Sequence, residues 1–168
     1  EKYLTRFDEA GIEVFLQVEP GNADIGNLID LVLQKYGHHT SVAGIGIDVE
    51  WYKCDEKERY KKGWGSRVTD DEAQLWNRNV KSFNKNYRMF LKHWDPDGMP
   101  PSYRSDIIFV DDSQNIDNLA VMTSEFKVWG DTFSRNDVWF QVGYKSDKKW
   151  WGDYENPVKT IGESISSE

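Results

Sequence analysis

Five short apolar runs typical of β-strands alternate with helical segments, and this alternation constrains the fold more than any other feature of the chain. Strands separated by helices favour a mostly parallel sheet in an α/β fold. The predicted strands are 13–19, 44–51, 87–93, 106–112 and 138–144. Apolar periodicity predicts helices over 24–37 and about 117–133, a capping box of Thr69 and Glu72 starts another, and further helices are expected over about 2–10 and after Pro157.

Two parallel architectures fit this order of elements: a doubly wound sheet of the flavodoxin type and a (β/α)8 barrel of the TIM type. The strands of a doubly wound sheet are usually apolar along nearly their whole length. Here polar side chains stand in the last part of the runs or at their ends, where a barrel gathers its active-site residues. These residues are Gln17, Glu19, Asp48, Glu50, His93, Asp111, Asp112 and Gln141. The pattern therefore favours the barrel.

Five predicted strands are fewer than the eight of a complete barrel, which needs about 250 residues. We expect residues 1–168 to form a single domain that corresponds to the middle and later part of a barrel, such as strands three to seven. Because an open sheet edge tends to pair, the missing strands would come from the remainder of a longer barrel or from self-association.

Charge and composition argue against several classes of partner and cofactor. The chain carries 21 Lys+Arg against 29 Asp+Glu, a net charge of -8, whereas nucleic acids and anionic membranes attract a basic face. No stretch approaches the roughly 20 apolar residues that span a bilayer. The single cysteine, Cys54, forms no disulfide within the chain and no thiolate metal cluster. Gly44 and Gly46 lack the third glycine and following helix of a dinucleotide fingerprint, so we expect no cofactor.

Carboxylates at the predicted strand ends suggest acid–base chemistry. Asp48 and Glu50 share one face of their strand, and Glu19 would open onto the same cleft if the first two strands are neighbours. Of Asp111 and Asp112, only one can face inward. Glycosidases use paired carboxyl groups, one as general acid and one as base or nucleophile. Two alternatives are loop caps or ion pairs, and metal-assisted hydrolysis on Asp48, Glu50 and Asp111.

Tryptophans in the predicted loops suggest a saccharide ligand, because exposed aromatic rings can stack on the C–H faces of sugars and are costly to leave in water. Trp51, Trp64, Trp94, Trp150 and Trp151 are expected on the rim of the barrel. Trp76, Trp129 and Trp139 lie in strand or helix patterns and are expected in the core. The alternative for the rim set is that long loops fold over it and use these rings as local cores.

The segment from Gly44 to Tyr52 resembles the signature strand of chitinase-like family 18 glycosidases, in which an apolar strand ends in Asp-x-Glu followed by an aromatic residue. Here those positions are Asp48-Val49-Glu50-Trp51. Gly46 and Val49 differ from the family pattern, which carries a further aspartate and an aromatic residue there. The resemblance implies that Glu50 donates a proton to the glycosidic oxygen. It also implies that Asp48 steers Glu50 and stabilises an acetamido-derived intermediate.

Together these features predict a glycoside hydrolase that acts on a polysaccharide or glycan at an extracellular or cell-surface location. The alternatives are a non-catalytic carbohydrate-binding or cell-surface module on the same barrel, and a flavodoxin-like binding protein with strand order 2-1-3-4-5. The candidate catalytic residues are Glu50, Asp48, Glu19 and Asp112, and the candidate sugar-binding residues are Trp51, Tyr52, Gln17, His93, Asp111, Gln114, Gln141, Tyr144, Trp150 and Trp151. His38 and His39 follow a predicted helix end and are expected to cap it, so no metal site is expected.

Overall fold

A computed structural model describes residues 1–54 and 65–166 of the chain. Five strands form one all-parallel sheet in the order β1-β2-β3-β4-β5. They are β1 Val14–Val18, β2 Val42–Asp48, β3 Arg88–His93, β4 Ile108–Asp111 and β5 Val138–Phe140. The predicted α/β fold with a parallel sheet is confirmed. The flavodoxin order is wrong for this chain, since each strand pairs with the strand that precedes it in sequence.

The helices begin and end at residues whose chemistry explains their bounds. They are α1 Lys2–Ala10, α2 Ile25–Tyr36, α3 Asp70–Phe83, α4 Leu119–Thr132, α5 Lys148–Trp151 and α6 Pro157–Ser166. The predicted capping box is confirmed at the start of α3, where the Glu72 backbone N–H donates to the Thr69 hydroxyl. Gly11 ends α1 at φ 64, a left-handed conformation that glycine adopts without strain. None of these helices is both long and apolar enough to cross a membrane.

Two predicted strands end three or more residues earlier than expected at their polar ends. β2 ends at Asp48, because its Oδ1 accepts a hydrogen bond from the Glu50 backbone N–H at 3.3 Å and turns the chain. Glu50 and Trp51 therefore lie in a turn and not in the strand. β5 ends at Phe140, so Gln141 and Tyr144 lie in the connection that follows it.

The two faces of the sheet are buried by different partners. One face carries Ile45, Ile47, Met89, Leu91 and Phe109, and it shares a large apolar core with side chains of α2, α3 and α4. We call it the helix-covered face. The opposite face carries Phe15, Phe90, Ile108 and Val110, which form a separate small cluster. We call this opposite side the concave face.

The concave face is strongly curved. The Phe15 ring of β1 and the Trp139 ring of β5 meet edge to face with centroids 5.2 Å apart. Three strands lie between these two, and a flat sheet would separate them by roughly 19 Å at about 4.8 Å per strand. Trp139 therefore lies on the concave face with 39% of its surface exposed, and its predicted core position is wrong. Trp76 and Trp129 are buried as predicted.

Candidate functional site

An ion-paired group of side chains lies at the carboxyl end of the concave face. Lys92 of β3 places its Nζ 2.7 Å from Asp48 Oδ2 of β2 and 2.8 Å from Asp112 Oδ2, just past β4. All three residues are buried. Side chains two residues apart on a strand share a face, and each of these three residues lies two positions after a residue of the concave face. All three side chains therefore point to the concave side. We call Asp48, Glu50, Lys92 and Asp112 the acid–lysine cluster.

The two aspartates hold Lys92 in its charged form. Burial alone would lower the pKa of Lys92, but the ion pairs with Asp112 and Asp48 outweigh burial and raise it above its usual value. A lysine that keeps its proton is a poor nucleophile, so the cluster does not present an amine for covalent chemistry. Lys92 instead supplies a fixed positive charge that pairs with two buried aspartates and holds them in place.

Glu50 is the acid of this cluster that retains a proton near neutrality. Burial, together with like-charge repulsion from Asp112 and Asp48, raises its pKa to about 7; Lys92 opposes the rise and Glu19 contributes a smaller increase. Its side chain is half-buried, so a ligand can reach it. A carboxyl group with a pKa near 7 that opens to solvent is suited to donate a proton in a reaction.

Several predicted binding residues surround the cluster. Gln17 points its Nε2 at Asp48 Oδ2 over 3.4 Å, and Glu19 lies exposed after β1, beside Glu50. Gln141 donates from Nε2 to the Tyr144 hydroxyl at 2.7 Å. Burial and the negative charge of Asp112 raise the pKa of Tyr144, which shows that this phenol faces the acids. The structure thus brings residues from all five strand ends to one place.

Asp111 and His93 point to the helix-covered side of the sheet, the side opposite the cluster. Asp111 is fully buried and accepts a hydrogen bond from the Ser113 backbone N–H at 2.9 Å, and burial raises its pKa to about 7. His93 Nδ1 accepts from the Asp95 backbone N–H at 2.7 Å, and burial lowers the pKa of His93. Because Asp111 and Asp112 point to opposite faces, only Asp112 joins Asp48 and Glu50. The alternative metal site of Asp48, Glu50 and Asp111 is not assembled.

The predicted aromatic rim is only partly assembled. Tyr52 is buried edge to face against Trp76 and donates its hydroxyl hydrogen to Glu72 at 2.7 Å, so it belongs to the core below the turn. Trp150 and Trp151 are half-buried in a local core with α4 and α6, and their indole N–H groups donate to backbone oxygens at 3.0 and 3.1 Å. Trp150 and Trp151 thus follow the alternative expectation for the rim, in which the loops use these rings as a local core.

The other rim candidates lie in different surroundings. Trp51 is half-buried directly after Glu50 in the turn that follows β2. Gln114 is exposed and lines an open groove of about 520 Å³ together with Trp94, Ser113 and Glu125. Trp64 lies outside the described residues.

Three carboxylates of the cluster approach one another closely enough to be considered as metal ligands. One oxygen from each of Asp48, Glu50 and Asp112 lies within 4.8 Å of the others. The ammonium group of Lys92, however, already bridges two of them. A divalent cation placed there would meet a fixed positive charge at close range, so these residues fit proton chemistry better than metal binding.

Lys92 is the functional residue that sequence reasoning missed. It stands inside the apolar run Tyr87-Arg88-Met89-Phe90-Leu91-Lys92-His93. The available signal was that a lysine in a strand buried on both faces needs a carboxylate partner. Asp48 and Asp112, predicted at the ends of the neighbouring strands, were the acids within reach.

Comparisons of the chain with protein-family models, with curated proteins and with solved structures found no match. The functional interpretation therefore depends on the geometry and electrostatics of the acid–lysine cluster.

Proposed function

We propose that this protein is a glycoside hydrolase in which Glu50 is the general acid. The observation that carries the proposal is the half-buried Glu50 carboxyl, whose pKa is raised to about 7 beside two aspartates that pair with Lys92. Glycosidases use a carboxyl group with a raised pKa as the general acid, next to a second carboxyl group with a different role. Glu50 would protonate the glycosidic oxygen as the bond to the anomeric carbon breaks, and water would then add to the anomeric carbon and return a proton to Glu50.

The spacing of the carboxyl groups supports a retaining outcome. Oxygens of Asp48, Glu50 and Asp112 lie within 4.8 Å of one another. Inverting enzymes keep their two carboxyl groups about 6.5–9.5 Å apart to admit a water molecule, whereas retaining enzymes keep them at about 5–5.5 Å. A positive charge that develops on the sugar ring would be stabilised by Asp48 and Asp112.

One oxygen of Asp112 is left without a hydrogen-bond partner among the described residues. Asp112 Oδ2 is bound to Lys92, but Oδ1 is buried and has no hydrogen-bond partner among the described residues. A buried carboxylate oxygen without a donor is costly, and a sugar hydroxyl or amide N–H would satisfy it. Gln141 and Tyr144 would provide neutral hydrogen-bonding groups beside it, as sugar recognition requires.

We propose in addition that the sheet is part of a (β/α)8 barrel. The sequential strand order, the placement of the helices on one face and the ring contact between Phe15 and Trp139 support this fold. Further strands would pair with the edges of β1 and β5 and close the ring around the cluster.

The test is hydrolysis of labelled chitin, peptidoglycan and plant-type glycans by the protein and by its Glu50→Gln variant. Glutamine keeps the shape of the side chain but has no proton to donate, so kcat is expected to fall about 10²- to 10⁴-fold. Parental activity should also decline as the pH rises past 7, since Glu50 loses its proton there. The exposed Glu9 on α1 provides a matched control, and Glu9→Gln should leave kcat unchanged. Unchanged turnover in Glu50→Gln would contradict the assignment.

A carbohydrate-binding module without turnover is the second candidate. It is favoured by the ion pairs of Lys92, which occupy one oxygen of both Asp48 and Asp112 and would reduce their nucleophilicity. This function predicts saccharide binding that persists in Glu50→Gln, with no products from either protein. Binding by calorimetry and product analysis on the same two proteins therefore separate the two functions.

A further inference from the structure

A second group of potential ligands lies at the opposite end of the sheet from the acid–lysine cluster. Glu1 at the start of α1 and His38 and His39 in the connection from α2 to β2 each place a ligand atom within 4.8 Å of the others. The two histidine rings lie 4.3 Å apart. The proposed glycosidase chemistry uses none of these residues.

His39 is oriented as a metal ligand by a carboxylate behind it. Its Nδ1 lies 2.6 Å from Asp8 Oδ2, and Asp8 Oδ1 is fixed by the Ser41 backbone N–H at 2.7 Å. A carboxylate accepts the hydrogen bond here, so Nδ1 carries the hydrogen and Nε2 is the ring nitrogen that can bind a metal ion. Metal-binding histidines are held in this way by a carboxylate on the second nitrogen. The ring points away from the preceding helix, while the His39 backbone N–H donates to the Tyr36 carbonyl oxygen at 3.0 Å and so caps that helix.

The outward nitrogen of His39 is buried without a hydrogen-bond partner. The side chain is 6% exposed, and Nε2 has no hydrogen-bond partner among residues 1–54 and 65–166. Glu1 Oε2 lies 3.9 Å from Nε2, too far for a hydrogen bond. Nε2 therefore points into the space between Glu1 and His38 and has a lone pair to offer there.

The spacing suits a small tetrahedral cation after slight closure. A zinc ion with bonds of about 2.1 Å holds its ligand atoms roughly 3.4 Å apart. The Glu1–His39 separation of 3.9 Å is only slightly longer, and the side chains of Glu1 and His38 are exposed and can adjust. Two imidazoles and one carboxylate are ligands that zinc and its neighbours in the first transition row accept.

We propose that Glu1, His38 and His39 bind a divalent transition-metal ion of the zinc type, with water in the fourth position. Asp8 is the positioning residue that sets the tautomer of His39. The ion would join the first turn of α1 to the connection between α2 and β2, and so fix the amino-terminal helix against the sheet. Its role would be structural and separate from the acid–lysine cluster.

The experiment is titration of the full chain, free of any purification histidines, with Zn²⁺ by calorimetry and with Co²⁺ by visible absorption. We expect one ion per chain and the intense Co²⁺ bands of a four-coordinate site. His38→Ala removes an exposed ligand and should lower Zn²⁺ affinity at least tenfold without disturbing the fold, as checked by circular dichroism. Glu9→Gln removes an exposed carboxylate of α1 outside the site and should leave the affinity unchanged.

Asp8→Asn tests the positioning role, because an amide holds the His39 tautomer less firmly, and it should lower Zn²⁺ affinity about 10- to 100-fold. The proposal is overturned if the parent binds no Zn²⁺, or if His38→Ala binds it as tightly as the parent. It is also overturned if Glu50→Gln, at the other end of the sheet, abolishes the binding.

Discussion

Along β3, successive side chains alternate between two different environments. Met89 and Leu91 point to the helix-covered face and are fully buried among apolar side chains of the helices. Phe90 and Lys92 point to the concave face and are nearly as well buried, but Lys92 lies between two carboxylates. A strand therefore contributes to the apolar core with one set of residues and to the ionised cluster with the residues between them.

The comparison shows that similar burial has different causes on the two faces. On the helix-covered face, apolar area removed from water supplies the free energy of folding. On the concave face, small residues, contacts between aromatic rings and ion pairs fill a curved space. Polar groups remain at the carboxyl ends of the strands on this face. Substitutions on the two faces should therefore lower the free energy of unfolding for different reasons, which can be measured.

The largest effect is expected from Lys92→Met. Methionine is unbranched like lysine and only one atom shorter, but it leaves Asp48 and Asp112 buried without their common partner. Removing one member of a buried ion pair should lower the free energy of unfolding by about 3–5 kcal/mol. Lys149, which pairs with Asp117 at 3.0 Å on the surface, gives the matched control, and Lys149→Met should cost about 0.5 kcal/mol or less. If Lys92→Met and Lys149→Met shifted the midpoint of urea unfolding equally, the buried ion pairs of the concave face would be no more important for stability than a surface pair.

A smaller effect is expected from Gly46→Ala. A Cβ atom at this concave-face position would lie 1.9 Å from Cζ of Phe90, so the ring would have to move. Overpacking of this kind should cost about 2 kcal/mol in thermal or urea unfolding. Gly130 in α4 has no atom within 4 Å of an added Cβ, and Gly130→Ala should stabilise by about 0.5 kcal/mol. The double change of Gly46→Ala with Phe90→Leu should recover part of the loss, and no recovery would argue against the steric cause.

The smallest effect concerns Asp111, the buried acid of the helix-covered face, and it depends on pH. Burial raises its pKa from the usual 3.8 to about 7, so the folded chain keeps a proton that the unfolded chain releases. Its contribution to stability is therefore complete below pH 3.8 and is lost as the pH rises through about 7.

Asp111→Asn should thus be more stable than the parent at pH 8, by about 1–2 kcal/mol, and not at pH 4. Urea midpoints at both pH values measure this difference. The exposed Asp153 offers a control, since Asp153→Asn should shift neither midpoint. A gain from Asp111→Asn that is the same at both pH values would show that its cause is not titration.

The alternation of elements was enough to predict the parallel sheet and the starts of α2 and α3, because apolar period and capping residues are local signals. Local signals also predicted Asp48 and Asp112 at strand ends. The position of Glu50 in a turn depends on the Asp48 side chain accepting its backbone N–H, which hydropathy does not report.

The other differences arise from contacts distant in sequence. Tyr52 belongs to the core, where Glu72 accepts its hydroxyl hydrogen. Trp139 lies on the concave face, where the curvature of the sheet brings its ring against that of Phe15. Lys92 acquires its role only when β2 and β4 flank β3. Such relations between elements are set by topology, which the pattern of a single segment does not contain.

The sequential strand order has a consequence for synthesis on the ribosome. Each strand from β2 to β5 pairs with the strand made immediately before it, so a partner is already present when the new strand emerges. Translation adds about 5–20 residues per second, whereas a helix forms in about a microsecond, so each unit has time to form before the next is complete. The sheet can thus grow from β1 towards β5 during translation, and the acid–lysine cluster is completed only when β4 delivers Asp112.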